Sequence, residues 1–153
     1  MVDVAQRRNK AVELFKSGFN CAQAVAIAYS DVLGMSDEEA AKVSGSFGGG
    51  MGRMGEVCGT LSGAFMVMGH LIPVIDPKDA ATKQANYAAV RELADKFKAV
   101  FGNIRCADLL QEKKIRHTPS PDDPNAEFYA KRPCAFYVAV AAELVGERIN
   151  AMG

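Results

Sequence analysis

The chain has 153 residues, with 18 basic and 18 acidic side chains and a formal net charge of zero. This length predicts one domain, residues 1–153, that buries about two thirds of its unfolded surface. Because the charges are balanced and scattered, the sequence excludes the electrostatic footprint of a nucleic-acid-binding protein. The N-terminus lacks the apolar core of a signal peptide, and every apolar run is too short to span a bilayer. We therefore expect a cytoplasmic protein without membrane insertion.

Hydrophobic periodicity is helical along the whole chain, and no run of β-branched residues alternates with polar ones. This pattern predicts an all-α fold, a single-domain bundle of about six to seven helices. The first helix is predicted over residues 3–16. The second follows Asn20 as N-cap and continues to Gly34 at the C′ position. Ser36 and Glu39 form a capping box that opens a short third helix.

A glycine-rich segment, GSFGGGMGRMGEVCGTLSG at residues 45–63, leads into the fourth helix. That helix is predicted from near Glu56 to about His70. Because its side chains are almost all apolar, we expect it to run through the middle of the bundle. An apolar helix in so small a chain also favours a homodimer.

The longest helix is predicted over residues 78–101, with Gly102 after it. Its inner face is predicted to carry Tyr87, Val90, Leu93, Phe97, Val100 and Phe101. A short helix begins at Cys106, and Pro133 at N1 opens the last helix. Between them, residues 115–131 form a proline-containing loop that is long for a compact domain, so we expect a lid or a mobile segment there.

The four cysteines are Cys21, Cys58, Cys106 and Cys134, and no two of them form a Cys-x-x-Cys pair. This spacing excludes a thioredoxin motif, a zinc ribbon and a ferredoxin run. Each cysteine nevertheless falls in the first turn of a predicted helix. There the unpaired amide groups and the helix dipole stabilise a thiolate by about 0.3–1 kcal/mol. The thiolate is both the nucleophile and the metal ligand, so the placement indicates a redox or metal-binding site.

Two interpretations of the glycine-rich segment are open. In the structural one, it is a flexible connector, and Gly59, Gly63 and Gly69 let a neighbouring helix approach closely. In the functional one, consecutive glycines let backbone amides converge on a thiolate, a cluster sulfide or an anion, and give a partner access to Cys58. The candidate cofactor-binding residues are then Gly48, Gly49, Gly50, Gly52 and Gly59. A dinucleotide or Walker loop is excluded, because the segment follows a helix and lacks Gly-Lys-Ser/Thr.

Five segments, in order along the chain and including all four cysteines, resemble the C_GCAxxG_C_C family of small bacterial and archaeal redox-active proteins. The segments are GFNCAQAV at 18–25, FGGGMG at 47–52, CGTLSG at 58–63, GNIRCADLL at 102–110 and PCAFYVAVAA at 133–142. The departure is Thr60, where the family signature has alanine. We expect this small-for-small change to leave the chemistry unaltered.

The resemblance implies an all-helical fold and a redox role for Cys21, Cys58, Cys106 and Cys134. A related domain occurs in split-Soret cytochromes, where an iron-sulfur centre accompanies the haems and the protein is a dimer. Covalent c-type haem is not expected in this chain, because Cys-x-x-Cys-His is missing from its sequence. Family members often lie beside transporter genes, which implies a functional link to a transporter.

Three functions are compatible with these features. In the first, the four thiols converge on one redox site of an oxidoreductase, either as a dithiol/disulfide couple or as ligands of an iron-sulfur cluster. The dithiol version takes Cys58 as the attacking thiol, with an unknown redox partner. In the second, the same thiolates hold zinc or copper(I) in a non-catalytic binding or delivery module. In the third, the protein is a helical interaction module whose cysteines are simply buried.

Overall fold

The computed structural model describes residues 1–112 and 133–153, so the predicted loop at 115–131 lies outside the described residues. The predicted all-α fold is confirmed. The helices are α1 (Val4–Lys16), α2 (Cys21–Ala28), α3 (Ser30–Leu33), α4 (Asp37–Ser44), α5 (Gly59–Leu71), α6 (Ala80–Phe101), α7 (Cys106–Glu112) and α8 (Cys134–Met152). Within these described ranges, no helix combines the length and the apolar character that crossing a membrane requires.

The nearly apolar helix α5 forms the centre of the bundle, as predicted. It packs against α2, α6 and α8, and its inward side chains include the fully buried Leu61 and Met68. Burial within one chain accounts for its apolar sequence, so that sequence no longer argues for a homodimer. The helix begins later than predicted, because the residues before Gly59 are extended and paired. The amide of Cys58 donates to the carbonyl of Ile104 at 2.7 Å.

Two glycines of α5 let α2 approach closely. A Cβ added at Gly63 would lie 2.7 Å from the carbonyl oxygen of Ala22 and 3.1 Å from the Cβ of Val25, and a Cβ at Gly59 would also contact α2. The expectation for these two glycines is confirmed. It is wrong for Gly69, because a Cβ there would meet nothing within 4 Å. The close approach brings the start of α2 beside the start of α5.

Local capping signals set most helix ends. Asn20 and Ser36 both form complete capping boxes, and Gly34 ends α3 in the left-handed region at φ 67°. The second predicted helix is divided into α2 and α3 at Tyr29, whose φ is −118°. The Tyr29 hydroxyl donates to the carbonyl of Ala142 at 2.7 Å, which ties this break to α8.

The inner face predicted for α6 needs one correction. Leu93 and Phe97 are buried, and Val90 and Phe101 pack against the core. The side chains of Tyr87 and Val100 were expected there too, but they are 55% and 60% exposed. Tyr87 lies about 120° around the helix from Leu93, at 100° per residue. Val100 lies in the last turn of the helix.

Arg7 joins α1 to the break between α2 and α3. Its guanidinium donates two hydrogen bonds to the carboxylate of Asp31 and a third to the carbonyl of Ala28 at 2.8 Å. It also lies over the ring of Tyr29, 5.2 Å from the centroid. The hydrogen bonds from Arg7 lower the pKa of Asp31 to about 2.

Candidate thiol site

All four cysteines lie at helix starts. Cys21, Cys106 and Cys134 are the first residues of α2, α7 and α8, and Cys58 is the N-cap of α5. The last helix differs in one detail, since Pro133 is its N-cap rather than its first helical residue. None of the four sulfurs is in a disulfide. Backbone amides at a helix start are therefore available to the thiols of Cys21 and Cys58.

The glycine-rich segment contains a left-handed turn. Five consecutive residues have positive φ: 68°, 73°, 66°, 60° and 66° for Gly49, Gly50, Met51, Gly52 and Arg53. A side-chain-bearing residue loses about 1–2 kcal/mol in this conformation, whereas glycine adopts it at almost no steric cost. Three glycines therefore confine the cost to Met51 and Arg53. The segment therefore forms a left-handed turn whose backbone conformation the glycines make accessible.

This turn lies between two of the thiols. The amide of Glu56 donates to the carbonyl of Gly50 at 3.0 Å, and the Cys106 amide donates to the carbonyl of Glu56 at 2.6 Å. A Cβ added at Gly50 would lie 2.7 Å from the Cβ of Cys106, and one added at Gly59 would lie 2.5 Å from the sulfur of Cys21. The missing side chains thus leave the space that the two cysteines occupy.

Gly48 and Gly52 have different surroundings. A Cβ at Gly48 would lie 2.5 Å from the Cγ of Asn20, and the Asn20 amide group donates to the carbonyl of Gly45 at 2.9 Å. The residue that caps α2 therefore also holds the glycine-rich segment beside Cys21. Gly52 does not reach the thiols, since the heavy atom nearest to an added Cβ is a carbonyl oxygen 3.8 Å away.

Cys58 and Cys106 flank a short antiparallel pairing, whose isolated bridge joins Val57 and Arg105. The Cys58 amide donates to the carbonyl of Ile104 and the Cys106 amide to that of Glu56, on either side of one isolated bridge. Charge on Cys106 raises the pKa of the Cys58 thiol, so the two thiols lie within electrostatic reach of each other.

Cys58 is the most buried of the four cysteines. It is 4% exposed, whereas the other three are half-buried. Burial, together with charge repulsion from Cys21 and Cys106, raises the pKa of the Cys58 thiol to about 12. Thr60 opposes these effects with a hydroxyl 3.1 Å from the sulfur. The access that was expected to make Cys58 the attacking thiol is therefore contradicted by its burial.

Several backbone amides form hydrogen bonds to the thiol of Cys21. Burial raises the pKa of the Cys21 thiol, and the backbone amides of Gly49, Ala22, Cys21 itself and Gly59 oppose that rise. Two of these four amides belong to glycines that were predicted to bring amides together around a negative group. The arrangement can stabilise negative charge on the sulfur of Cys21, which is a half-buried residue.

Tyr137 belongs to the site and was missed in the sequence. It lies one turn after Cys134 in α8 and is 3% exposed. Burial raises the pKa of its hydroxyl, and charges on Cys134, Cys58 and Cys106 raise it further. Its ring packs edge-on against Phe101, with centroids 4.6 Å apart. The usable signal was its position three residues after a helix-start cysteine, on the same helix face.

The spacing of the thiols decides whether they can hold one metal ion or cluster together. Four thiols are a donor set that suits zinc, copper(I) or an iron-sulfur cluster, provided that three or four of them surround one point. Among residues 1–112 and 133–153, no three His, Cys, Asp or Glu side chains lie close enough to share an ion. The donor chemistry fits such a group, but the spacing in this structure does not.

Comparison with protein families matches residues 19–148 to the family described as "Putative redox-active protein (C_GCAxxG_C_C)". The matched region contains all four cysteines, the left-handed turn and Tyr137. No curated protein and no solved structure matches the chain.

Proposed function

The chain belongs to the C_GCAxxG_C_C family of redox-active proteins, and from that premise we propose that its thiols form one site for thiol/disulfide exchange. Cys21 is the attacking thiol and Cys58 is the resolving thiol. One observation carries the proposal. The sulfur of Cys21 fits against Gly59, which directly follows Cys58, in space that a Cβ on Gly59 would fill.

Exposure and local electrostatics support the order of the two steps. Cys21 is the more exposed residue of the pair. Burial raises the pKa of its thiol, and the amides of Gly49 and Gly59 oppose that rise. A thiolate held by backbone amides is the reactive form of cysteine. With a pKa of about 12, Cys58 stays protonated at neutral pH and does not compete for the first attack.

The reaction balances with a disulfide as the oxidant. The Cys21 thiolate attacks one sulfur of the partner disulfide, forms a mixed disulfide and releases the other sulfur as a thiolate, which takes up a proton. Cys58 then loses its proton and attacks the Cys21 sulfur. The Cys21–Cys58 disulfide forms and the second partner thiol leaves. Two electrons and two protons pass to the partner, and the reverse reaction reduces it.

Cys106 and Cys134 act as a relay in this proposal. The Cys106 amide donates to the carbonyl of Glu56, two residues before Cys58, and charge on Cys106 contributes to the raised pKa of Cys58. Charges on Cys134 and Cys58 both raise the pKa of the Tyr137 hydroxyl. Attack by either relay thiol on the Cys21–Cys58 disulfide would transfer the oxidised state without a further oxidant. The partner is proposed by class only, as a protein dithiol or a small-molecule thiol.

A second candidate is an iron-sulfur cluster, or a zinc or copper(I) ion, on the same four thiols. The donor set favours it, together with the amides that can stabilise a ligating thiolate at Cys21. The sulfurs would have to move closer together than they lie here. No step of the reaction above depends on such a group.

Anaerobic purification followed by metal, sulfide and thiol analysis separates the candidates. Protein equilibrated in glutathione buffers is then alkylated, digested and mapped by mass spectrometry. We expect a Cys21–Cys58 disulfide that forms reversibly between about −120 and −270 mV, the range of thiol/disulfide oxidoreductases. Iron with acid-labile sulfide would instead establish the cluster, and stoichiometric zinc or copper the binding module. Unreactive thiols without metal would leave only buried structural cysteines.

A further inference from the structure

Thr60 is buried directly beside Cys58. Its side chain is 0% exposed, and its hydroxyl oxygen lies 3.1 Å from the Cys58 sulfur. Thr60 is the second residue of α5 and Cys58 is the N-cap, so the two side chains meet across the first turn of the helix. At this distance the hydroxyl and the sulfur form a hydrogen bond in which either can donate.

The same helix contains a natural comparison. Ser62 is also buried in α5, at 6% exposure, but its hydroxyl has no hydrogen-bond partner within the part of the chain that the structure describes. Filling space in α5 therefore does not require a bonded hydroxyl. The Thr60 hydroxyl is distinguished by its contact with a thiol.

We infer that Thr60 is a positioning residue that orients Cys58 and stabilises its thiolate during resolution of the mixed disulfide on Cys21. This inference rests on the proposed function. A hydroxyl accepts a weak hydrogen bond from a neutral thiol and donates one to a thiolate. Because hydrogen bonds to charged groups are about twice as strong as neutral ones, the contact favours the thiolate.

The backbone amide of Thr60 also lowers the pKa of Cys58, whereas the groups that face Cys58 from other residues act in the opposite direction. Cys21 and Cys106 raise the pKa of Cys58 when they are charged, and burial raises it most. Tyr137 is itself a weak acid whose pKa is raised by the same thiols. Thr60 therefore offsets surroundings that otherwise keep Cys58 protonated. On this account the departure from the family's alanine changes the chemistry, contrary to the expectation from size alone.

The test compares Thr60→Val, which keeps the shape and removes the hydroxyl, with Thr60→Ser, which keeps the hydroxyl. Each reduced protein reacts with oxidised glutathione and is quenched in acid, and mass spectrometry follows the mixed disulfide on Cys21 and the later Cys21–Cys58 disulfide.

We expect Thr60→Val to leave the first step unchanged and to slow the second about threefold. One pKa unit lowers the thiolate fraction about tenfold, and the higher nucleophilicity of the more basic thiolate partly compensates. Thr60→Ser and the control Ser62→Ala should resolve at the wild-type rate.

Resolution by Thr60→Val at the wild-type rate would overturn the inference, as would equal slowing in Thr60→Val and Thr60→Ser. A separate readout distinguishes this failure from failure of the proposed function. Alkylation of Cys58 by iodoacetamide at one fixed alkaline pH needs no disulfide, and it should also be about threefold slower in Thr60→Val. If that rate is unchanged, the inference is wrong whether or not the disulfide forms. Thr60→Ala, which restores the family's residue, replaces the valine variant if valine prevents folding.

Discussion

The sulfur of Cys21 lies against Gly59, so closely that a Cβ on Gly59 would be 2.5 Å from it. This contact joins the start of α2 to the start of α5, where Cys58 is the N-cap. It depends on the glycine at position 59, because any side chain there would occupy the place of the Cys21 sulfur. The contact therefore links helix packing to the chemistry proposed for the two thiols.

Replacing Gly59 with alanine should displace Cys21 and impair the site. The added methyl group also meets the carbonyl oxygen of Phe47 at 2.8 Å, so we expect a loss of about 1–3 kcal/mol in the free energy of unfolding. Formation of the Cys21–Cys58 disulfide should be slowed as well. Urea unfolding and disulfide mapping measure the two effects. Gly69→Ala is the control, since its exposed position in α5 has open space and should gain about 0.5–1 kcal/mol from helix propensity.

The left-handed turn predicts a difference between two glycines of nearly equal φ. Gly50→Ala and Gly52→Ala both place a side chain in the left-handed region, at φ 73° and 60°, with a shared cost of about 1 kcal/mol. Only the methyl group at Gly50 collides with the Cys106 side chain. We therefore expect Gly50→Ala to lose about 1–3 kcal/mol more than Gly52→Ala in urea unfolding. It should also change the alkylation rate of Cys106, and equal stability of the two variants would contradict the described turn.

Removing the Tyr137 hydroxyl should lower the reactivity of Cys134. A tyrosine phenol is protonated at neutral pH. Burial raises the pKa of this one further, and the charge of Cys134 has the largest effect on that pKa after burial. A protonated hydroxyl near a thiolate stabilises it, so Tyr137→Phe should slow alkylation of Cys134 about threefold. The ring contact with Phe101 is retained in this variant. Tyr87→Phe, at a 55% exposed tyrosine, serves as the control. If both variants slow alkylation of Cys134 equally, Tyr137 does not stabilise the Cys134 thiolate.

The Arg7–Asp31 pair predicts a specific acid sensitivity. Arg7 lowers the pKa of Asp31 to about 2. The contribution of the pair to the free energy of unfolding is therefore complete above about 3.9, the pKa of an aspartate in the unfolded chain, and is lost as the pH falls towards 2. Because the Asp31 side chain is 61% exposed, we expect the pair to stabilise the folded protein by at most about 1 kcal/mol. Asp31→Asn should thus destabilise the protein at neutral pH and have little effect near the acid limit. Urea unfolding at several pH values tests this.

The control for that series is Glu38→Gln. Glu38 pairs with Lys42 across one helical turn, and both side chains are more than two thirds exposed, at 79% and 71%. Solvent screens such a pair almost completely. A pH-dependent effect of the same size in Glu38→Gln would show that general surface charge, and not the Arg7–Asp31 contact, is responsible.

Much of the fold follows from local signals in the sequence. The caps at Asn20 and Ser36 and the left-handed glycine Gly102 mark helix ends through residues that are neighbours in the chain. The Asn20 cap also places Cys21 at the start of α2. The burial of α5 follows from its composition alone, because an apolar helix has no solvent-facing side.

The geometry of the site depends on contacts that the sequence does not reveal. The pairing of Cys58 with Ile104 joins segments far apart in the chain, and no local pattern signals it. Glycine-rich composition indicates positive φ, but Met51 and Arg53 adopt it too, because the surrounding backbone pairing holds them there. Burial of Cys58 follows from these contacts, which is why accessibility judged from neighbouring glycines was misleading.

The most direct test of the proposed exchange is the site of the first mixed disulfide. Cys58→Ser and Cys21→Ser variants are reduced, exposed to oxidised glutathione and mapped by mass spectrometry. We predict that Cys58→Ser accumulates glutathione on Cys21, because the resolving thiol is missing, and that Cys21→Ser carries none on Cys58. Glutathione on Cys58 in Cys21→Ser, together with an unmodified Cys21 in Cys58→Ser, would contradict the account.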